Sequence, residues 1–157
     1  MKSKSMVTPS NILSVILAVV LGAMIGLERE IRGKAAGLRT NVLICLGATV
    51  FTIISKYMGS GMNDSPTRIA AQIVTGVGFL GAGAIIRDRG GVHGLTTAAT
   101  IWLVASVGTA CGAGFYGLAV LSTIIAIVVL IGLAELEKPL GRFRKKQEQQ
   151  NISNEDN

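Results

Sequence analysis

Five long apolar runs, separated by charged or glycine-rich loops, constrain the fold of this chain more than any other feature. Only 15% of the residues are charged, whereas a soluble domain usually carries about 25%. Runs of this length and composition are typical of transmembrane helices. We therefore predict an all-α integral membrane protein, a compact bundle of about five transmembrane helices. The predicted spans cover residues 11–27, 40–57, 68–86, 95–111 and 115–136.

The distribution of basic residues predicts the orientation of these spans. Five spans place the two termini on opposite sides of the membrane, and eleven of the fifteen lysines and arginines then fall on the side of the C-terminus. Because basic loops stay in the cytoplasm, we predict an external N-terminus and a cytoplasmic C-terminus. One transmembrane domain covers 1–136. The polar residues 137–157 show no apolar periodicity and are predicted to form a largely disordered cytoplasmic tail.

A glycine-rich stretch from Ala71 to Gly83 has two possible meanings. It contains a GxGxxG pattern, but a dinucleotide-binding loop also needs a preceding strand and an acidic residue about 20 positions later, and both are missing. The helical interpretation is favoured, with four small residues at +4, +3 and +4 along one face, namely Ala71, Thr75, Gly78 and Ala82. We predict that this face is the central contact of the bundle. Whether its glycines Gly76, Gly78, Gly81 and Gly83 also expose backbone to an ion stays open.

Other small and polar residues are weaker candidates for packing or function. The first span carries Gly22-x-x-x-Gly26, which indicates a close-packing face. Glu28 and Glu30 offer oxygen ligands of the kind that Mg²⁺ prefers, although the neighbouring arginines favour a salt-bridged loop instead. The remaining candidates are polar or aromatic residues in or beside the spans: Arg29, Arg39, Thr40, Arg68, Gln72, Thr75, Thr96, Thr97 and Trp102.

Several functional classes lack support in the sequence. No nucleophile–base pair or phosphate loop indicates an enzyme. The net charge is +6, but no aromatic residues alternate with the basic ones, which argues against nucleic-acid binding. Cys45 and Cys111 have no metal-ligand spacing and are expected to be buried thiols.

Five segments, in order and spacing, resemble the MgtC/SapB family of bacterial membrane proteins. They read LGAMIGLERE from Leu21, AGLRT from Ala36, GVGFLGAG from Gly76, GLTTAATIW from Gly94 and GAGFY from Gly112. The resemblance covers about residues 10–135. Larger members of that family carry a soluble, ACT-like C-terminal domain, whereas this chain ends about twenty residues after the fifth span. Functions that depend on that domain are therefore not implied here.

The resemblance implies a multi-pass protein of the bacterial inner membrane, associated with growth under Mg²⁺ limitation. It also implies an effect on membrane energetics through a partner such as an F-type ATP synthase. Our first hypothesis is therefore a regulator that contacts another membrane protein, helix against helix, within the lipid bilayer. The alternative is a transporter or channel for Mg²⁺ or another ion, with Glu28, Glu30, Gln72 and the threonines of the fourth span along its path. A homo-oligomer is a third possibility.

Overall fold

Five helices and one short hairpin make up the part of the chain that the computed structural model describes, which is residues 7–58, 68–88 and 91–134. Four of these helices are long and apolar enough to cross a membrane, which confirms the predicted all-α membrane bundle. The predicted tail over 137–157 lies outside the described residues. The elements are α1 (Pro9–Ile31), α2 (Leu38–Met58), α3 (Arg68–Gly83), β1 (Ile86–Asp88), β2 (Gly91–His93), α4 (Leu95–Ala113) and α5 (Tyr116–Ala134).

Residues up to 123 form one compact unit, and residues 124–134 are the described part of a second. Within the second unit, apolar side chains are exposed on this end of α5, as expected of a helix that meets lipid. They include Ile124, Ile125, Val128, Val129, Ile131 and Leu133.

Helix α2 is the centre of the first unit, because it packs against α1 on one side and α4 on the other. Against α1, a Cβ placed on Gly22 would lie 2.8 Å from the Cβ of Cys45, and one on Gly26 would lie 2.9 Å from the Cα of Leu38. Only a residue without a side chain fits at such distances. The predicted close-packing face of the first span is therefore confirmed.

The contact between α2 and α4 uses a second pair of glycines, which the sequence analysis did not single out. A Cβ on Gly112 would lie 2.5 Å from the carbonyl oxygen of Thr49, and one on Gly108 would lie 2.9 Å from the Cβ of Ala48. The Thr49 hydroxyl, which is fully buried, lies 2.9 Å from the carbonyl oxygen of Cys45 and 2.8 Å from that of Gly108. It thus links α2 to α4 by a hydrogen bond where the two backbones approach closely.

Helix α3 packs through a different face from the one predicted. Ala71, Thr75, Gly78 and Ala82 are all exposed, so the prediction that they form the central contact of the bundle is wrong within a single chain. The helix is held instead by Ile73, Val77 and Ala84, which pack around Ala48, Ile101 and Ala105, and by Gly81 against Ala98. Apolar side chains bury more surface than a row of small residues does, which explains why α3 packs through the face that carries Ile73 and Val77.

A β-hairpin follows α3, where the sequence predicted that the helix continues to residue 86. The helix ends at Gly83, and the amides of Ala84 and Ile85 bond back to Gly81 and Ala82 at 3.1 Å. Strands β1 and β2 then pair antiparallel, with Arg87 opposite Val92. Gly94 closes the hairpin with φ +89, and a Cβ there would collide with the Ala84 carbonyl. The predicted span therefore includes the first residue of a strand.

Candidate functional site

The carboxylate of Glu28 is held between two arginines at the end of α1. The guanidinium of Arg29 donates from Nε to Glu28 Oε2 and from Nη2 to Oε1 at 2.8 Å. Arg32 Nε lies 2.7 Å from the same Oε1. The side chains of Glu28 and Arg29 are only 9% and 3% exposed. This is the salt-bridged arrangement that the sequence favoured over a metal site.

The carboxylate of Glu30 caps the start of α2. Its Oε2 accepts a hydrogen bond from the Leu38 amide at 2.9 Å, at the positive end of the helix dipole. A Cβ on Gly37 would overlap this carboxylate, so a larger residue there would displace the Glu30 side chain from the Leu38 amide. Among the residues that the structure describes, no group of three His, Cys, Asp or Glu side chains lies close enough together to hold a metal ion. Mg²⁺ binding by Glu28 and Glu30 stays the less favoured of the two interpretations.

Asn41 fixes the loop between α1 and α2 from inside the bundle. It is fully buried, and its Nδ2 donates to the carbonyl oxygens of Ala36 and Gly37 at 2.7 and 2.8 Å. Its Oδ1 is the one buried side-chain oxygen or nitrogen without a hydrogen-bond partner in the described ranges. The sequence analysis missed this residue, although an asparagine inside an apolar run is the signal that could have identified it.

A groove of about 840 Å³ lies between α2 and α3. Five of the predicted site residues line it: Arg39, Thr40, Gln72, Gly76 and Gly83. Its walls are otherwise apolar, with Leu43, Phe51 and Leu80 among the side chains exposed along its rim. The structure thus brings together residues from two predicted motifs, AGLRT and the glycine-rich stretch, along a single surface.

The other predicted residues do not join this groove. Arg68 begins α3 and is exposed, and so is Thr96 at the start of α4. Thr97 is buried, and Thr100 donates to the Thr96 carbonyl at 2.7 Å, so this part of α4 uses hydroxyls within its own helix. Trp102 has a side chain that is 54% exposed. These residues therefore form no common site with Glu28 or Arg39.

A polar cluster that the sequence did not indicate joins α1 to the start of α5. The hydroxyl of Tyr116 lies 3.0 Å from that of Ser14 and donates to the carbonyl of Ser10 at 3.1 Å. Nearby, Lys56 donates to the carbonyl of Ala113 at 3.2 Å, where its charge complements the C-terminal end of α4. These bonds tie the ends of α1, α2, α4 and α5 together at one end of the bundle.

The profile of the MgtC family matches residues 15–139 of the chain. An uncharacterised protein of Synechocystis sp. is 45% identical over 133 residues, which are 85% of this chain and 54% of that protein. Protein MgtC of Salmonella typhimurium is 47% identical over 132 residues, 84% of this chain and 56% of the relative. Protein MgtC of Brucella abortus is 49% identical over 112 residues, 71% of this chain and 46% of the relative. The chain spans about half the length of these relatives, and no solved structure matches it.

Proposed function

The chain belongs to the MgtC family, and we propose that it regulates another inner-membrane protein during adaptation to low Mg²⁺. The regulated protein binds helix against helix to the face formed by Ala71, Thr75, Gly78 and Ala82, hereafter the small face of α3. An ion-pumping complex such as an F-type ATP synthase is the candidate partner that the family resemblance suggests. The observation that carries the proposal is the exposure of the whole small face.

Glycine in the small face is costly unless it is used for a contact. A helical glycine costs about 1 kcal/mol relative to alanine, and a Cβ on Gly78 would meet no atom of the described residues within 4 Å. Packing within the chain therefore gives no reason for a glycine at this position. Helices in lipid associate through small residues that let their backbones approach, so a second helix supplies the missing reason.

The size of the proposed contact follows from its periodicity. Positions 71, 75, 78 and 82 repeat the +4, +3 spacing of a heptad seam, which suits a nearly parallel partner helix over three turns. The small face lies on the flank of α3 away from the groove, because the groove is lined by other positions of the same helix, including Gly76 and Leu80. Partner binding and groove binding are therefore separable by mutation.

The test is purification of the tagged full chain from native membranes, with co-purified proteins measured by mass spectrometry. Gly78→Leu should lower recovery of the partner about tenfold, since methylenes added to a packed contact cost about 1–3 kcal/mol. Gly76→Leu is the matched control, because it adds the same side chain to the same helix and its Cβ also meets no atom within 4 Å. Equal recovery of every protein from the Gly78→Leu and wild-type membranes would refute the proposal.

An ion-transport function makes a different prediction. If Glu28 and Gln72 lie along a conduction path, vesicles containing the protein should show Mg²⁺ flux that Glu28→Gln reduces. The regulatory proposal predicts vesicles as tight as protein-free ones. Protein-dependent flux would therefore favour transport over regulation.

A further inference from the structure

We propose that the groove between α2 and α3 binds an anionic phospholipid, with one acyl chain along the groove and the phosphate paired with Arg39. The site is independent of the partner contact, because it uses the opposite flank of α3. The inference rests on the shape of the groove, its length and the charge at its end.

The shape suits a flexible hydrocarbon chain. The volume of about 840 Å³ lies within the roughly 300–1,000 Å³ of ligand-binding pockets. Leu43, Phe51 and Leu80 are 66%, 54% and 50% exposed along the rim, so the groove opens sideways and a lipid can enter from the bilayer. A partner helix would need small residues on that rim to approach closely, whereas a single acyl chain fits between large apolar side chains.

The length of the groove matches one leaflet. Arg39 and Phe51, which both line the groove, are twelve positions apart on α2, or about 18 Å at 1.5 Å per residue. One leaflet contributes about half of the ~30 Å hydrocarbon core. A lipid with its phosphate at Arg39 would therefore have its acyl chain extended as far as Phe51.

The charge at the end of the groove complements a phosphate. Arg39 is exposed and forms no ion pair within the described ranges, and the hydroxyl-bearing Thr40 lies beside it on the groove wall. The described acidic residues at this end of the bundle are already engaged: Glu28 by Arg29 and Arg32, Glu30 by the Leu38 amide, and Asp88 by His93 at 3.5 Å. Arginine binds phosphate oxygens through two parallel hydrogen bonds. By the positive-inside rule this end faces the cytoplasm, where basic pockets between helices bind anionic headgroups.

The first experiment measures lipid retention by native mass spectrometry of the full chain in mild detergent. The protein is offered phosphatidylglycerol or phosphatidylcholine with identical acyl chains. The wild type should retain phosphatidylglycerol preferentially, and Arg39→Gln should reduce this preference about fivefold, the effect of one basic residue at a membrane surface. Arg87→Gln is the control, because Arg87 is exposed on the hairpin and does not line the groove. An equal loss in both variants would overturn the site, since it would indicate a general surface potential.

The second experiment fills the groove without disturbing the fold. Gly76 lines the groove and Gly78 lies on the small face, and a Cβ on either meets no atom within 4 Å. Gly76→Leu should reduce retention of phosphatidylglycerol, while Gly78→Leu should retain it as the wild type does. Unchanged retention in Gly76→Leu would refute groove binding. Loss of a protein partner from Gly76→Leu, with lipid retention intact, would show that the groove holds a helix instead.

Discussion

Replacing Gly108 by alanine tests whether the contact between α2 and α4 holds the bundle together. A Cβ at this position would overlap the carbonyl oxygen of Cys45 and lie 2.9 Å from the Cβ of Ala48. Ordinary contact begins at 3.4 Å, so the two helices must separate by at least the 0.5 Å difference, and by more to clear the carbonyl. The same movement stretches the hydrogen bond from Thr49 to the Gly108 carbonyl, now 2.8 Å long.

The expected loss of stability combines three effects. Overpacking a tight contact costs about 1–3 kcal/mol, and a weakened interhelical hydrogen bond in a membrane costs about 0.6 kcal/mol more. The higher helix propensity of alanine stabilises the variant by up to about 1 kcal/mol. The net destabilisation is therefore about 0.6–3.6 kcal/mol.

The assay is reversible unfolding in mixed micelles, followed by circular dichroism as the denaturing detergent is increased. Gly117→Ala is the matched control, because Gly117 lies in α5 and a Cβ there meets no atom within 4 Å. It should be neutral or stabilising by up to about 1 kcal/mol. If Gly108→Ala unfolds at the same detergent fraction as Gly117→Ala, the close approach of α2 and α4 is not a source of stability.

Two further predictions concern buried polar groups. Asn41→Leu leaves the Ala36 carbonyl without its donor and should destabilise the fold by about 1–3 kcal/mol. Asn41→Asp, which also lacks the amide donor, should be no more stable than Asn41→Leu. Wild-type stability in either variant would contradict the role of Nδ2. Glu28→Gln leaves the buried Arg29 guanidinium without its counter-charge and should destabilise by about 3–5 kcal/mol. Adding Arg29→Gln should recover part of this loss, and a double variant less stable than Glu28→Gln would show that the pair is not the cause. Both are measured by the same unfolding assay.

Four of the five helices could be predicted because a membrane fixes the length of an apolar span, whereas α3, with 16 residues, is shorter than the four that could cross one. The close approach at Gly22 and Gly26 was also predictable, since two glycines four positions apart share one side of a helix. The salt-bridged arrangement of Glu28 followed from Arg29 and Arg32, which lie close to it in the sequence. In each case the decisive interactions are local or depend on the bilayer alone.

The faces that meet in the bundle could not be predicted in the same way. Periodicity shows that Ala71, Thr75 and Gly78 share a side of α3, but it does not show whether that side meets this chain or another. Gly108 and Gly112 carry the same four-residue spacing with fewer glycines around them, so their pattern is a weaker signal than the denser stretch in α3. Their importance depends on Thr49, which is 59 residues away from Gly108. The groove likewise combines residues of α2 and α3 that no sequence motif connects.

The central position of α2 has a consequence for the order in which the protein is made. Its buried polar residues Thr49 and Thr52 are covered on one side by α4, which is complete only at Ala113, whereas α2 is complete at Met58. At about 5–20 residues per second of synthesis, the intervening residues take roughly 3–11 s. During that interval α4 cannot yet cover these hydroxyl groups. Until α4 is made, the hydroxyls of Thr49 and Thr52 have the carbonyl oxygens of Cys45 and Ala48 in their own helix as acceptors, which satisfies them without a partner helix.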